Sequence, residues 1–157
     1  MKIRELQLQD REQVEKIFDL YWSDDFRNNL FLKLEGYLQS DPELLNQNFK
    51  FIVAEENGEI LGVAAYRTLP LHMRMHAITD NPVELYVIAV KEKGKGTGPL
   101  LRDQRINDAK RLGYTEALFF SGDSHKDSWA FHDSSKFQRV SRMTAPNGEE
   151  GYVWRMV

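Results

Sequence analysis

Few folds can accommodate the stretch from Val83 to Gly113. A run of strand length, VELYVIAV, passes through a glycine and lysine loop, KEKGKGTG, into PLLRDQRINDAKRLG, which opens on Pro99 and closes on Gly113 as a helix does. A strand feeding straight into a helix commits the chain to a sheet with at least one helix packed across it. The same junction leaves the first amide hydrogens of the helix without partners. The glycines let an anion approach that backbone, the helix dipole favours it, and Lys91, Lys93 and Lys95 add formal charge. A diphosphate is a fitting guest.

Two common phosphate loops do not match. A dinucleotide fingerprint begun at Gly94 needs its third glycine where Pro99 stands, and no Gly-Lys-Ser/Thr follows four spacers as a P-loop requires.

The rest of the chain supplies the partners of this unit. Lys2 to Gln7 alternates as a short strand, and Asp10 is placed to cap a helix over Arg11 to Trp22 whose stripe is Val14, Ile17, Phe18 and Tyr21. Asp24 or Asp25 caps a second helix, with Phe26, Leu30, Phe31, Leu34 and Leu38 along one side. Pro42 starts a short turn or helix through Gln47. Phe49 to Glu55 and Glu59 to Thr68 flank Asn57-Gly58, a pair that accepts the positive φ of a type I′ turn, so they form a hairpin. Leu69 to Pro82, with prolines and histidines and little periodicity, reads as a long connection. After the central helix come a strand over Thr115 to Ser121, a polar loop over Gly122 to Lys126 and a helix from near Asp127 to Ser135. Phe137 to Thr144 and Gly151 to Val157 are strands joined through Asn147-Gly148.

The order β, α, α, β, β, β, α, β, α, β, β implies an α+β fold: a mostly antiparallel mixed sheet, with the fourth and fifth strands parallel because a helix links them. One conflict stands out. On the central helix Leu101, Ala109 and Leu112 share a face, yet Arg105 and Asp108 lie close to it, for which only an i, i+3 pair along the edge offers itself.

At 157 residues and 41% hydrophobic, residues 1–157 are expected to form one domain with a sizeable core. A net charge of −3, with no basic stretch outside Lys91 to Lys95, argues against nucleic acid as a partner. The lack of cysteine excludes disulfides, thiolate metal sites and a cysteine nucleophile. MKIRELQLQD has no apolar leader and no run of about 18 apolar residues occurs, so a cytoplasmic protein without a membrane partner is expected.

The loop Lys93-Gly94-Lys95-Gly96-Thr97-Gly98, after Ile88-Ala89-Val90 and before Leu100-Leu101, resembles the acyl-CoA loop of the GNAT N-acetyltransferases, Gln/Arg-x-x-Gly-x-Gly/Ala. Lys93 replaces the usual Gln or Arg, and Pro99 offers no amide. The element order is also similar to the GNAT order over essentially the whole chain. The resemblance implies a sheet whose fourth and fifth strands splay, with helices on both faces. The pantetheine arm of acetyl-CoA would then bond the backbone of Ile88, Ala89 and Val90, and its diphosphate would sit on Lys93 to Gly98. It further implies direct transfer of an acetyl group to an amine, with no metal and no covalent intermediate.

Such a transfer needs a neutral amine, a donor for the carbonyl oxygen and an escort for the leaving thiolate. Glu84 is the candidate base. It stands six residues before Val90, as the glutamate of histone-type members does, and period two puts it on one face with Tyr86, Ile88 and Val90. His132 is the candidate acid: Phe131-His132-Asp133-Ser134-Ser135-Lys136-Phe137 resembles the family's Phe-Tyr-x-x-x-Gly-Phe, with histidine for tyrosine and Lys136 for glycine. Ser128 with His132 gives Ser-x-x-x-His, similar to the same helix in aminoglycoside 6′-N-acetyltransferases and phosphinothricin-type acetyltransferases, and makes Ser128 a candidate CoA contact.

The first two helices and the Leu69 to Pro82 loop are expected to build the acceptor site for a small-molecule or peptide amine. Asp24, Asp25, Glu35, Asp41 and Glu43 would suit a cationic amine, although acidic helix starts are ordinary capping. His72, Arg74 and His76 alternate and could meet a carboxylate from an extended segment. Trp129, Tyr152 and Trp154 are expected in the core or at a homodimer face rather than on substrate. Two rival readings remain: a non-catalytic acyl-CoA-binding regulatory module, and an aminoglycoside acetyltransferase.

Overall fold

A computed structural model describes all 157 residues, 1–157. One sheet of seven strands runs through it in the order β1-β2-β3-β4-β5-β7-β6. The strands are β1 (Lys2–Glu5), β2 (Lys50–Glu56), β3 (Glu59–Thr68), β4 (Pro82–Val90), β5 (Glu116–Gly122), β6 (Gln138–Thr144) and β7 (Glu150–Met156). Every neighbouring pair is antiparallel except β4 with β5. The helices are α1 (Arg11–Asp19), α2 (Asp24–Leu38), α3 (Pro42–Asn46), α4 (Thr97–Arg111) and α5 (Trp129–Asp133). This is the mixed sheet and element order expected from the pattern.

Local chemistry explains most of the boundaries. Asn57 and Gly58 both take positive φ, 53° and 81°, so β2 and β3 are joined by the expected tight turn. Asp41 accepts from the Glu43 amide and caps α3 ahead of Pro42. Asp10 is no cap. Its carboxylate is buried and taken by the Arg4 guanidinium at 2.7 and 2.8 Å and by the Gln7 amide at 2.8 Å, which ties β1 to the start of α1. Ser23, not Asp24 or Asp25, stands at the start of α2. α1 ends at Asp19, three residues sooner than periodicity predicts, and this turns Tyr21 and Trp22 towards the sheet. The Leu69 to Pro82 connection is not extended: Leu71–His76 is a 3-10 turn, so the alternation of His72, Arg74 and His76 does not place them on one side.

Two layers cover the sheet. On one face α1, α2 and α3 bury Val14, Ile17, Phe18, Leu30, Leu34 and Leu44 against Phe51, Val53 and Val63. On the other, α4 and α5 cover Tyr66, Val83, Leu85, Phe119 and Trp154. Trp154 is fully buried with Phe119 stacked on it at 5.3 Å, a core role as expected. Gly62 lets α4 close on β3. A Cβ there would lie 2.8 Å from Leu101 Cδ1, 2.9 Å from Thr97 Cγ2 and 3.2 Å from the Ala89 carbonyl. No helix is long and apolar enough to cross a membrane.

Candidate active site

The loop after β4 is shaped by Gly94 and Gly96, whose φ values of 80° and 82° are easy only for glycine. Gly96 occupies the cap position of α4, so Thr97 and Gly98 are its first two helical residues and their amides have no partner within the helix. Pro99 fills the third position at no cost in hydrogen bonds, and Leu100 N–H already reaches the Gly96 carbonyl at 3.4 Å. Of the three lysines, Lys91 pairs with Glu59 at 2.9 Å and Lys93 with Asp127 at 3.3 Å, while Lys95 forms no ion pair. The expected anion cradle is thus two helical amides with one unpaired ammonium.

Beside it the sheet opens. β4 and β5 are paired only at Pro82–Glu116, Val83–Ala117 and Glu84–Leu118. Beyond Glu84 the two strands part. The other edge of β4 is irregular at the same place: against β3 the register runs Ala65–Val87 and then Tyr66–Leu85, so Tyr86 is an extra, bulged residue. The bulge breaks the period-two expectation. Glu84 and Tyr86 lie on the α1–α2 face with Val87 and Ala89, whereas Ile88 and Val90 cross to the α4 face and pack with Leu101. Lys91 N–H bonds the Leu61 carbonyl on β3 at 2.8 Å, so by alternation Ile88 and Val90 turn their own backbone groups towards the gap. One of those groups is taken: Tyr21 O–H donates to the Val90 carbonyl at 2.7 Å.

Arg105 resolves the conflict on the central helix. It does not pair with Asp108. Its Nη1 donates to the carbonyls of Ala65 at 3.1 Å and Val87 at 3.0 Å, pinning α4 to both strands at the bulge. Its Nε is buried without a partner, and burial pushes the guanidinium down to about 9. Asp108, also buried, instead accepts from Tyr66, Gln104 and Arg111. Leu112 is exposed rather than part of the helix's core face.

Glu84 is 5% exposed and sits at the last paired position before the gap. Arg67 Nε donates to its Oε1 at 2.6 Å, while Arg67 Nη1 reaches Gln47 Oε1 at 3.2 Å. The guanidinium lies over Tyr86 at 4.6 Å and over Phe49 at 5.5 Å. Burial raises the Tyr86 phenol to about 12, so that hydroxyl stays protonated.

His132 is on the opposite face, its ring 4.6 Å from Phe119, 5.1 Å from Trp154 and 5.7 Å from Phe131. Burial, assisted by the positive charge of Arg105, lowers the imidazole to about 4, so it is neutral at neutral pH. Glu84 and His132 therefore lie on opposite faces of the sheet and make no mutual contact. Ser128 spends its hydroxyl on the His125 carbonyl at 2.8 Å, one turn back.

On the Glu84 side a cleft of about 440 Å³ opens between the end of α3, the end of β3 and the 3-10 turn, with Asn46, Gln47, Arg67, Thr68 and His72 among its walls. The acidic residues expected to form an acceptor site are elsewhere: none of Asp24, Asp25, Glu35, Asp41 and Glu43 lines it. His76 bonds Ser141 Oγ at 2.8 Å and does not line it either. Tyr21, Arg67 and Arg105 had not been singled out for the site. Only Arg105 had left a signal, as a charge on a face that ought to be apolar.

A mixed sheet with one parallel pair that parts beside a glycine-capped helix is the arrangement of an acyl-CoA-dependent transferase fold. The sequence profile of the acetyltransferase (GNAT) family matches residues 11–137, and the chain belongs to that family. Among solved structures the fold is shared with a GNAT-family protein from Desulfovibrio desulfuricans at a TM-score of 0.78 and 18% identity, over 99% of this chain and 97% of that one. It is similar to the PaiA N-acetyltransferase of Thermoplasma acidophilum, solved in complex with coenzyme A, at 0.68 and 15%, over 98% and 96%. The ribosomal-protein-alanine N-acetyltransferase of Brucella melitensis matches at 0.71 and 18%, over 100% and 99%. No curated protein sequence gives a significant match.

Proposed function

We propose that this chain moves an acetyl group from acetyl-CoA to a primary amine by direct transfer. The observation that carries this reading is the parting of β4 from β5 after Glu84, which leaves a backbone edge at Ile88 and Val90 in line with the free amides of Thr97 and Gly98. The residues present fit the co-substrate. Lys95, Thr97 and Gly98 would receive the diphosphate, and the gap would take the pantetheine arm along Ile88, Ala89 and Val90. Lys93 and Ser128 would contribute only by giving up present partners, Asp127 and the His125 carbonyl.

The chemistry follows from the two sides of the gap. The neutral amine attacks the thioester carbonyl, a backbone amide facing the gap bonds the developing oxyanion, and Glu84 takes the proton that the amine sheds, directly or through water. Collapse breaks the carbon–sulfur bond and releases CoA as a thiolate. His132, neutral in its aromatic surroundings, serves as an N–H donor to that sulfur rather than as a source of a full proton.

The test is a thermal shift with acetyl-CoA, CoA and NADH, followed by an amine-dependent thiol-release assay. A ligand held at a hundredfold its dissociation constant adds about 2.7 kcal/mol to the folded state. Both CoA species should raise the midpoint and NADH should not. Stabilisation without thiol release for any amine would replace the enzyme with an acyl-CoA-binding module, and no stabilisation would remove the donor site.

A further inference from the structure

Two cations lie close to the Tyr86 ring. Besides Arg67 at 4.6 Å, the Lys33 ammonium of α2 lies 5.8 Å from the ring centroid. Glu84 is the carboxylate that pairs with this group, through Arg67 alone. Lys33 makes no ion pair, and its polar contact is Asn29 Oδ1 at 3.4 Å, one turn back on its own helix. Glu84 attracts it without forming an ion pair, and Glu43 attracts it less from α3, where it is exposed to water and its field is screened. Burial first, then Arg67, hold the Lys33 ammonium below the ordinary lysine value. The Glu84 side of the gap thus carries more positive charge than the fold neutralises at close range.

Arg67 is also held ready. Glu84 fixes Nε, Gln47 fixes Nη1, and Tyr86 and Phe49 take the guanidinium. Nη2 makes no hydrogen bond within the protein, and Arg67 is one wall of a cleft whose lining includes no acidic residue. A guanidinium held by several partners at a cleft, with one nitrogen left open to solvent, is well suited to receive a carboxylate.

The geometry points to an acceptor of the amino-acid type, carrying a carboxylate close to its primary amine, with the carboxylate on Arg67 and its charge also favoured by Lys33 beside the Tyr86 ring. This rests on the transferase reading above. A single carbon separates the two groups of an α-amino acid, so a carboxylate on Arg67 keeps the amine beside Glu84. By sharing Arg67 it also loosens the hold on Glu84, leaving that carboxylate freer to take the amine's proton. A polyamine or an aminoglycoside would add positive charge where there is already a surplus.

The experiment compares free amino acids, their carboxamides and 1,4-diaminobutane on the CoA-loaded protein by saturation-transfer NMR, and with acetyl-CoA by thiol release. At least one amino acid should bind about tenfold more tightly than its carboxamide. Lys33→Ala should reduce that preference several-fold while leaving CoA affinity unchanged, and Lys33→Arg should restore it. Equal or tighter binding of the carboxamides or the diamine, or no binding of any amino acid, overturns the inference. Thiol release with diamine or carboxamide alone would overturn it while sparing the transferase reading. Amino-acid binding without thiol release would sink the transferase reading, and with it the acceptor role, while leaving a carboxylate site on Arg67.

Discussion

Glu84 owes its setting to one distant residue and one neighbour. Arg67 meets it from β3 at 2.6 Å and the bulge places Tyr86 beside them, so a buried carboxylate has a charged partner at the last paired position before the gap. Glu84→Gln keeps an oxygen for Arg67 Nε but removes the base. Turnover with an accepted amine should fall about a hundredfold or more, with CoA affinity unchanged. Steady-state kinetics beside a CoA titration would check this, and wild-type turnover would remove Glu84 from the mechanism. Its position before the gap was legible from its spacing to Val90. Its partner was not, because residues on β3 and β4 meet only through a register that the bulge shifts.

The start of α4 does two jobs that different glycines serve. At Gly98 a Cβ would meet only Phe131 Cζ at 3.7 Å and Val90 Cγ1 at 3.9 Å, which is ordinary contact. Gly98→Asp should therefore fold, helped slightly by its negative charge at a helix start, and yet lose the CoA-induced thermal shift, because that charge faces a diphosphate. Undiminished CoA affinity would remove the loop from the donor site. Gly62 is the opposite case, since a methyl there pushes α4 off β3. Gly62→Ala should cost about 1–3 kcal/mol, lowering the melting midpoint by roughly 3–10 °C and weakening CoA binding as well. A midpoint equal to wild type would show that Leu101 and Thr97 can yield. The loop glycines could be read from their spacing, whereas Gly62 sits in the interior of a strand and gave no sign.

Across the whole molecule, stability should report the burial of His132. Its folded value of about 4 is below the ordinary 6.5, so the unfolded chain binds the proton more readily between those values. The stabilisation is complete above about pH 6.5 and is lost as the pH falls towards 4, by at most about 3 kcal/mol. Asp10 acts lower. Burial opposes its ionisation, but Arg4 and the Gln7 amide outweigh that and hold it below the usual range, so its contribution disappears only as the pH falls below about 4. Urea titrations of wild type and His132→Phe between pH 7 and 4 should show a slope that the variant lacks, and parallel curves would mean that His132 titrates normally. The sequence by itself determined the element order, the Asn57-Gly58 hairpin, the parallel crossover and the glycine-capped helix, because each depends on contacts a few residues apart or on hydrophobic period. Only the tertiary structure decided which groups meet at the gap. The Tyr86 bulge, the bonds of Arg105 to two strands, the Tyr21 hydroxyl on Val90 and the Arg67–Glu84 pair all join segments between 17 and 69 residues apart, and short-range pattern has no access to such registers.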